Sequence, residues 1–91
     1  MKQTFKKVKL SGSITWRKVN NEAVILNLET SEYYSANHTG TLIWEFLAKN
    51  QPTEKIVQAL TAEYGISAEE AGSDTEEFYR KLLGMGLITS N

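Results

Sequence analysis

The sequence predicts an α+β fold in which three antiparallel strands are followed by three helices. Between residues 24 and 47, apolar residues first recur about every two positions and then about every three and a half, which are the periods of a strand and of a helix. Two more stretches with helical periodicity follow, separated by a glycine and ended by two further glycines. A β-hairpin therefore leads directly into a set of helices, in the order β-β-β-α-α-α.

The first two strands are predicted from alternating residues. Ile14, Trp16 and Lys18 alternate with Thr15, Arg17 and Val19, which suggests a strand with one apolar face. Asn20 and Asn21 then supply turn residues, and a second strand is predicted over residues 23–29. One face of this second strand would carry Val24, Leu26 and Leu28, and the other face Ile25 and Asn27.

The third strand is predicted over residues 31–36, after a turn that closes at residues 30–31. A two-residue turn at this place pairs Leu28 with Tyr33. Tyr33 would then join the core face, and Tyr34 would lie on the opposite face.

Helix starts and stops are recognisable for the first two helices. The first is predicted to begin near residues 37–39, with Asn37 as a candidate N-cap, and to end by Asn50. The second is predicted to have Thr53 as its N-cap and to stop at Gly65, which suits a left-handed C-terminal residue. Their buried stripes are predicted at Leu42, Ile43, Phe46 and Leu47 and at Ile56, Val57, Leu60 and Tyr64.

The third helix begins with the pattern S-x-x-E at Ser67 and Glu70, which is a capping box. We expect it to reach Met85 and to be followed by a short extended tail, residues 86–88, packed on the body of the domain. Its inner stripe is predicted at Ala71, Thr75, Phe78, Leu82 and Met85.

Length and composition favour a binding module over an enzyme. The 91 residues are predicted to form one domain, 1–91, in which residues 1–11 are a candidate flexible basic tail. A chain this short buries only about two-thirds of its unfolded surface, which leaves little room for a catalytic cavity. The sequence has no cysteine and a single histidine, which excludes disulfides, thiolate chemistry and a zinc site.

We expect no catalytic residue, no metal and no cofactor. His38 lies where a helix begins and has no second histidine or serine partner in a recognisable motif, so we interpret it as structural. The chain also has no run approaching the roughly 20 apolar residues of a membrane helix, and no apolar stretch follows its N-terminal lysines. These features predict a soluble, cytoplasmic protein without a membrane partner.

The charges are unevenly distributed along the chain. Residues 1–20 contain six basic and no acidic side chains, whereas residues 21–91 contain all 11 acids and four bases. The basic stretch could attract an acidic partner. A solvated tail beside a lysine-lined edge strand explains it equally well.

The order and spacing of these elements over residues 14–88 resemble the PqqD family. The similarity is weakest at Ser31 and Ala36, where members commonly have glycine and a larger aliphatic residue. The matching features are Trp16, V-I-L-N-L followed by Tyr33-Tyr34, Asn37-x-x-Gly40-x-x-Ile43-Trp44, Ile56-x-x-x-Leu60-x-x-x-Tyr64, Asp74-x-x-x-Phe78-x-x-x-Leu82 and Gly86-Leu87-Ile88.

This resemblance implies a winged-helix-like fold, with a three-stranded antiparallel sheet followed by a three-helix bundle. It also implies a function, because members of the family are recognition elements that bind the leader segment of a ribosomally made precursor peptide. The leader adds as a strand beside the third strand and against the third helix, and the domain presents it to a modifying enzyme. Radical-SAM proteins, as in pyrroloquinoline quinone biosynthesis, and leader peptidases of lasso-peptide pathways are such partners.

Carried onto this chain, the resemblance implies a peptide-binding site between the third strand and the third helix. Either shoulder of that helix could face the site, and we favour the one with Asp74 over the one with Tyr79 and Leu83. The tyrosines could instead pack the sheet, and the helix residues could form a solvated face with a Glu77–Lys81 ion pair. The implied site residues are Ser31, Glu32, Tyr33, Tyr34, Ser35 and Ala36 on the strand and Asp74, Glu77, Phe78 and Lys81 on the helix.

Two other functions remain open from the sequence. A winged-helix domain can bind DNA through its third helix, and a basic N-terminus can contact phosphates. Against DNA binding, residues 67–85 carry five acids and two bases, which a polyanion would repel. The other alternative is a structural adaptor subunit, and we expect a monomer or a weak dimer.

Overall fold

The predicted order of strands and helices is confirmed by the computed structural model, which describes residues 8–90. Strands β2 (Ile14–Val19), β3 (Glu22–Asn27) and β4 (Glu32–Ser35) form an antiparallel sheet in the order β2-β3-β4. Three helices follow, α1 (His38–Ala48), α2 (Thr53–Tyr64) and α3 (Ala68–Gly84). The fold is therefore α+β, with the helices on one face of a three-stranded sheet.

A second, two-stranded sheet joins the ends of the described chain. Strand β1 (Val8–Leu10) pairs antiparallel with β5 (Ile88–Ser90), and the Ser11 hydroxyl donates to the carbonyl oxygen of Gly86 at 2.7 Å. The predicted flexible tail, residues 1–11, overlaps this strand and Ser11, while residues 1–7 lie outside the described part. Strands of three residues are too short for their periodicity to be recognised, and their pairing depends on a contact between distant parts of the chain.

The register of β3 and β4 differs from the prediction by two residues. Leu26, not Leu28, lies opposite Tyr33, because the turn contains four residues, 28–31, instead of two. The side chain of Asn27 shapes this turn, since its Oδ1 accepts the amide of Glu29 at 2.9 Å and that of Thr30 at 3.3 Å. An asparagine that bonds to the backbone two residues on is a typical start of such a turn.

The faces of the sheet are also opposite to the prediction. Ala23 and Ile25 of β3 are fully buried against the helices, so Tyr34, which lies opposite Ile25, is on the core side. Tyr33 is 72% exposed on the outer face. The outward position of Leu26 shows that hydrophobic alternation alone did not distinguish the two faces of this strand.

The core lies between the three-stranded sheet and the helices. Trp44 of α1 is fully buried and meets the ring of Trp16 on β2 edge to face, with ring centroids 6.1 Å apart, a favourable arrangement for two aromatic rings. The other large side chains that are completely or almost completely buried come from every layer of the fold: Ile25, Ile43, Ile56, Leu60, Leu82 and Ile88.

Local capping explains where the helices begin. Asn37 Oδ1 accepts the amide of Gly40 at 2.8 Å, and Ser67 Oγ accepts that of Glu70 at 3.0 Å, so both predicted caps are confirmed. Thr53 is the first residue of α2 and Pro52 is its N-cap, which corrects the predicted cap by one residue. Gly65 ends α2 in the left-handed region, with φ of 68°, as expected.

None of the helices in the described part is long and apolar enough to cross a membrane.

Candidate functional site

Strand β4 is an edge of the three-stranded sheet, and its hydrogen-bonding phase can be deduced from one contact. The amide of Ala36 donates to the carbonyl oxygen of Ala23 at 2.9 Å. In an antiparallel pair, successive residues of a strand point their backbone groups alternately toward and away from the partner. Tyr34 therefore directs its amide and carbonyl toward β3, and those of Tyr33 and Ser35 point outward. No strand in the described part pairs with this outer edge.

The end of the edge strand is held by a threonine of α1. The amide of Ala23 donates to Thr41 Oγ1 at 2.8 Å, and the Thr41 hydroxyl donates to the carbonyl oxygen of Ala36 at 3.3 Å. This buried hydroxyl replaces one rung of the β3–β4 ladder. Helix α1 and the hairpin are thus fixed to each other where β4 ends.

A groove runs between β4 and α3 and contains two clefts. The first cleft lies toward the C-terminal end of β4, and its floor contains Ile43, which is buried, and the ring of Phe78. Tyr34 forms one wall, with its ring centroid 6.4 Å from that of Phe78. The residues lining the first cleft are Tyr34, Asn37, Thr39, Gly40, Ile43, Asp74, Glu77, Phe78 and Lys81.

Gly40 gives the first cleft its shape. A Cβ atom at this position would lie 3.1 Å from Cε1 of Phe78 and 3.2 Å from Cβ of Ala36. The missing side chain therefore lets the beginning of α1 approach both neighbours and leaves the Phe78 ring in place as part of the floor.

The second cleft lies toward the turn end of β4. Met85 and Leu87 contribute apolar side chains from the end of α3 and the residues after it, and Glu32 is among the residues from β4. Met85, which we predicted in the buried stripe of α3, is 42% exposed here. The residues lining the second cleft are Asn27, Ser31, Glu32, Tyr33, Tyr34, Gly84, Met85 and Leu87.

Lys81 reaches across the groove from α3 to β4. Its Nζ lies 5.7 Å from the centroid of the Tyr34 ring, within the range of a cation–π interaction. The described residues form ion pairs between Lys18 and Glu45 and between Arg80 and Glu76. A Glu77–Lys81 ion pair is not among them. The Lys81 ammonium is therefore directed into the groove.

The two shoulders of α3 have different surroundings. Asp74, Glu77 and Lys81 line the first cleft. Tyr79, on the other shoulder, packs against the core, where burial raises the pKa of its hydroxyl and a hydrogen bond with Thr53 partly offsets that effect. The favoured shoulder is thus the one that lines the groove.

Nine of the ten residues implied by the resemblance are accessible from the groove or its edge. The first cleft is lined by Tyr34, Asp74, Glu77, Phe78 and Lys81. The second is lined by Ser31, Glu32, Tyr33 and Tyr34. Ser35 is exposed on the edge of the sheet. Ala36 is the exception. Its side chain is 1% exposed, and its amide and carbonyl are both bonded within the chain, so the structure places this side chain in the core.

Several lining residues were not recognised as site residues from the sequence. The start of α1 contributes Asn37, Thr39, Gly40 and Ile43. The end of α3 and the residues after it contribute Gly84, Met85 and Leu87. The motif Asn37-x-x-Gly40-x-x-Ile43 was noticed only as helix patterning. Its three named residues line the same cleft, and their spacing of three positions could have indicated a common surface.

The groove offers hydrogen bonds and apolar contacts. The described residues contain no group of three or more His, Asp or Glu side chains placed to hold a metal ion. His38 lies outside both clefts and meets α2, with Nε2 3.6 Å from Glu63 Oε2 and its ring edge-on to Tyr64. A free strand edge above apolar clefts is suited to hold an extended chain, which can satisfy the outward amides and carbonyls and place alternate side chains in the clefts.

These features define a small α+β domain with an open edge strand beside a helix. Residues 22–88 match the sequence model of the family described as coenzyme PQQ synthesis protein D (PqqD). The chain belongs to this PqqD family. The predicted resemblance is thereby confirmed.

Solved structures of similar proteins show the same fold. One, described as TbiB1 in complex with the TbiA(beta) leader peptide, is 30% identical, with a TM-score of 0.83 and coverage of 88% of this chain and 93% of that one. A second, described as lasso peptide synthetase B1 complexed with the leader peptide, is 24% identical, with a TM-score of 0.84 and coverage of 91% and 98%. No curated protein sequence matches the chain.

Proposed function

We propose that this protein binds the leader segment of a ribosomally made precursor peptide and presents it to a modifying enzyme. The leader adds as a strand to β4, pairing with the outward backbone groups of Tyr33 and Ser35. The observation that carries this proposal is the free edge of β4 above the two clefts, since the sheet ends at β4 in the described part of the chain.

Family membership supports this assignment. TbiB1, which is 30% identical over most of both chains, is in complex with a leader peptide. The groove residues of the present chain that we assign to leader binding are Ser31, Glu32, Tyr33, Tyr34, Ser35, Asp74, Glu77, Phe78 and Lys81.

The protein acts as an adaptor and not as an enzyme. Its groove provides backbone hydrogen bonds, aromatic walls and three carboxylates, Glu32, Asp74 and Glu77, all of which suit non-covalent binding. The chemical step belongs to a partner, such as a radical-SAM protein or a leader peptidase. The genes beside this one identify the pathway, because a short precursor gene next to either type of enzyme gene names both the ligand and the partner.

The test is isothermal calorimetry and amide NMR with the isolated protein and the synthetic leader of the precursor encoded beside it. We expect one leader to bind per protein in the absence of the enzyme, with the largest amide shifts at Tyr33 and Ser35. A duplex DNA of random sequence, titrated at low salt, serves as the comparison, because electrostatic binding to DNA weakens steeply with salt. Absence of heat and of amide shifts with the leader would refute the proposal, and salt-sensitive binding of the duplex alone would favour a nucleic-acid role.

A further inference from the structure

The left-handed backbone positions of this chain are occupied by asparagine, with one exception. Among the described residues other than glycine, positive φ angles occur at Asn20, Asn21, Asn50 and Ser31. Asparagine tolerates this region because its short polar side chain can bond to the nearby backbone, whereas serine adopts it less readily. Of these four residues, Ser31, with φ of 65°, is the one that lines a cleft of the groove. The strained serine therefore lies at the binding site, where strained residues tend to cluster.

The turn before β4 is held by other side chains than that of Ser31. Asn27 Oδ1 accepts the amides of Glu29 and Thr30, and Thr30 Oγ1 accepts the amide of Glu32 at 3.2 Å. No hydrogen bond among the described residues involves Ser31 Oγ, and Ser31 is exposed. The stability of the hairpin therefore does not explain a serine at this position.

Ser31 lies where the open edge of β4 would offer its next rung. Tyr33 and Ser35 present outward amides and carbonyls, and the rungs of such an edge recur at every second residue. The next position toward the turn is Ser31, but its amide donates to the carbonyl oxygen of Asn27 at 2.8 Å. This amide is therefore not available to a ligand, and the hydroxyl is the donor that Ser31 still offers.

We propose that the Ser31 hydroxyl bonds to the main chain of the bound leader and so replaces the missing rung. This inference rests on the proposed function, and it extends the paired segment past the end of β4 to a third position. A hydroxyl can donate to a peptide carbonyl or accept from a peptide amide, so it suits a backbone partner of any sequence. At the other end of β4 the Thr41 hydroxyl already bonds to the backbone of Ala23 and Ala36 in this way.

Two substitutions at Ser31 separate the hydroxyl from the shape of the turn. Ser31→Ala and Ser31→Gly both lose the hydroxyl, so each should raise the dissociation constant of the leader about three- to tenfold. Glycine adopts positive φ without strain and alanine does not, so Ser31→Gly should unfold at the higher urea concentration. Equal losses of affinity at unequal stability support the inference. A loss of affinity in only one of the two variants, or in neither, would overturn it.

Asn50→Ala is the matched control for the strain. Asn50 has φ of 59° and lines neither cleft, so alanine at this position imposes a similar strain away from the groove. We expect this variant to lose stability and to bind the leader as the wild type does. A loss of affinity equal to that of Ser31→Ala would show that binding follows general stability, and it would contradict the hydroxyl contact.

Amide-to-ester replacements along the synthetic leader test the bond itself. Each ester removes one main-chain N–H and weakens the adjoining carbonyl as an acceptor, while every side chain stays the same. On the wild-type protein we expect a sensitive position at one end of the paired segment, and on Ser31→Ala the ester at that position should cost little more. If every ester costs the same on both proteins, the inference is overturned and the proposed function stands, whereas a leader that does not bind the wild type refutes both.

Discussion

The amide nitrogen of Ala36 lies 2.9 Å from the carbonyl oxygen of Ala23, and this hydrogen bond sets the direction of each backbone group along β4. Because the pattern alternates, Ser35 presents its amide to the open edge and Tyr34 presents its amide to β3. Replacing a residue by proline removes its backbone N–H, and the consequence therefore differs between these two neighbouring residues.

Proline substitutions along β4 should separate peptide binding from folding. Ser35→Pro removes an outward amide, which an edge strand tolerates, so we expect native circular dichroism and loss of leader binding. Tyr34→Pro removes a bond to β3 and should lower the midpoint of urea unfolding. If Ser35→Pro binds the leader as the wild type does, β4 is not the docking edge.

Charge reversal at Lys81 should weaken the leader more than charge reversal at Lys55. Lys81 lines the first cleft next to Asp74 and Glu77, whereas Lys55 is exposed on α2, away from both clefts. We expect Lys81→Glu to raise the dissociation constant of the leader roughly five- to tenfold, because the bound peptide partly removes this charge from water. Lys55→Glu should change the dissociation constant by no more than about twofold. Calorimetry on both variants decides the matter, and a larger effect at Lys55 would place the site elsewhere.

Alanine at two glycines should have opposite effects on stability. In α3, a Cβ at Gly72 meets no atom within 4 Å, so Gly72→Ala should stabilise the protein by about 0.5–1 kcal/mol through helix propensity. At Gly40 the added Cβ would press on Phe78 and Ala36, and overpacking of this kind typically costs about 1–3 kcal/mol.

Urea unfolding measures both glycine variants. Leader binding should also decrease for Gly40→Ala, because the Phe78 ring forms the floor of the first cleft and must move. A Gly40→Ala protein that gains stability and binds normally would show that the close approach of α1 is not required.

Two buried threonines should differ in the cost of losing the hydroxyl group. Thr41 Oγ1 both accepts from Ala23 and donates to Ala36, so Thr41→Val leaves two buried backbone groups without partners and should cost about 1–3 kcal/mol. Thr75 Oγ1 only donates to the carbonyl of Ala71, within α3. Thr75→Val should cost less than Thr41→Val in urea unfolding. The reverse order would contradict the bridging role of Thr41.

Stability at high pH should depend on Tyr79. Burial raises the pKa of its hydroxyl above the usual value, so the folded protein holds this proton more tightly than the unfolded chain does. The stabilisation that this raised pKa provides is therefore fully present below about pH 10, which is the pKa of tyrosine in the unfolded chain. It is lost as the pH rises through the pKa of Tyr79 in the folded protein.

Urea midpoints measured from pH 8 to pH 11 test this dependence. Above about pH 10 the wild type should lose more stability than Tyr79→Phe does, while below it the two curves should run parallel. Identical slopes over the whole range would rule out a raised pKa at this tyrosine.

The sequence by itself determined the order of the elements and the starts of two helices. Periodicity distinguishes strand from helix within a few residues, and the caps at Asn37 and Ser67 are bonds to amides three positions away. Such features are local, because they depend on neighbouring residues and on no other part of the fold. The family resemblance also rested on their order, and from it we predicted a site between the third strand and the third helix.

Only the tertiary structure decided which groups face the groove. The Asn27 side chain is bonded to two amides of a four-residue turn, and the register is two residues away from the predicted one. Burial of Ile25 against the helices places Tyr34 inside and Tyr33 outside. The pairing of β1 with β5 and the approach of Gly40 to Phe78 likewise join residues far apart in sequence. The physical reason is that hydrophobic alternation leaves register and facing ambiguous when both faces of a strand carry apolar residues, and only packing against the helices selects one arrangement.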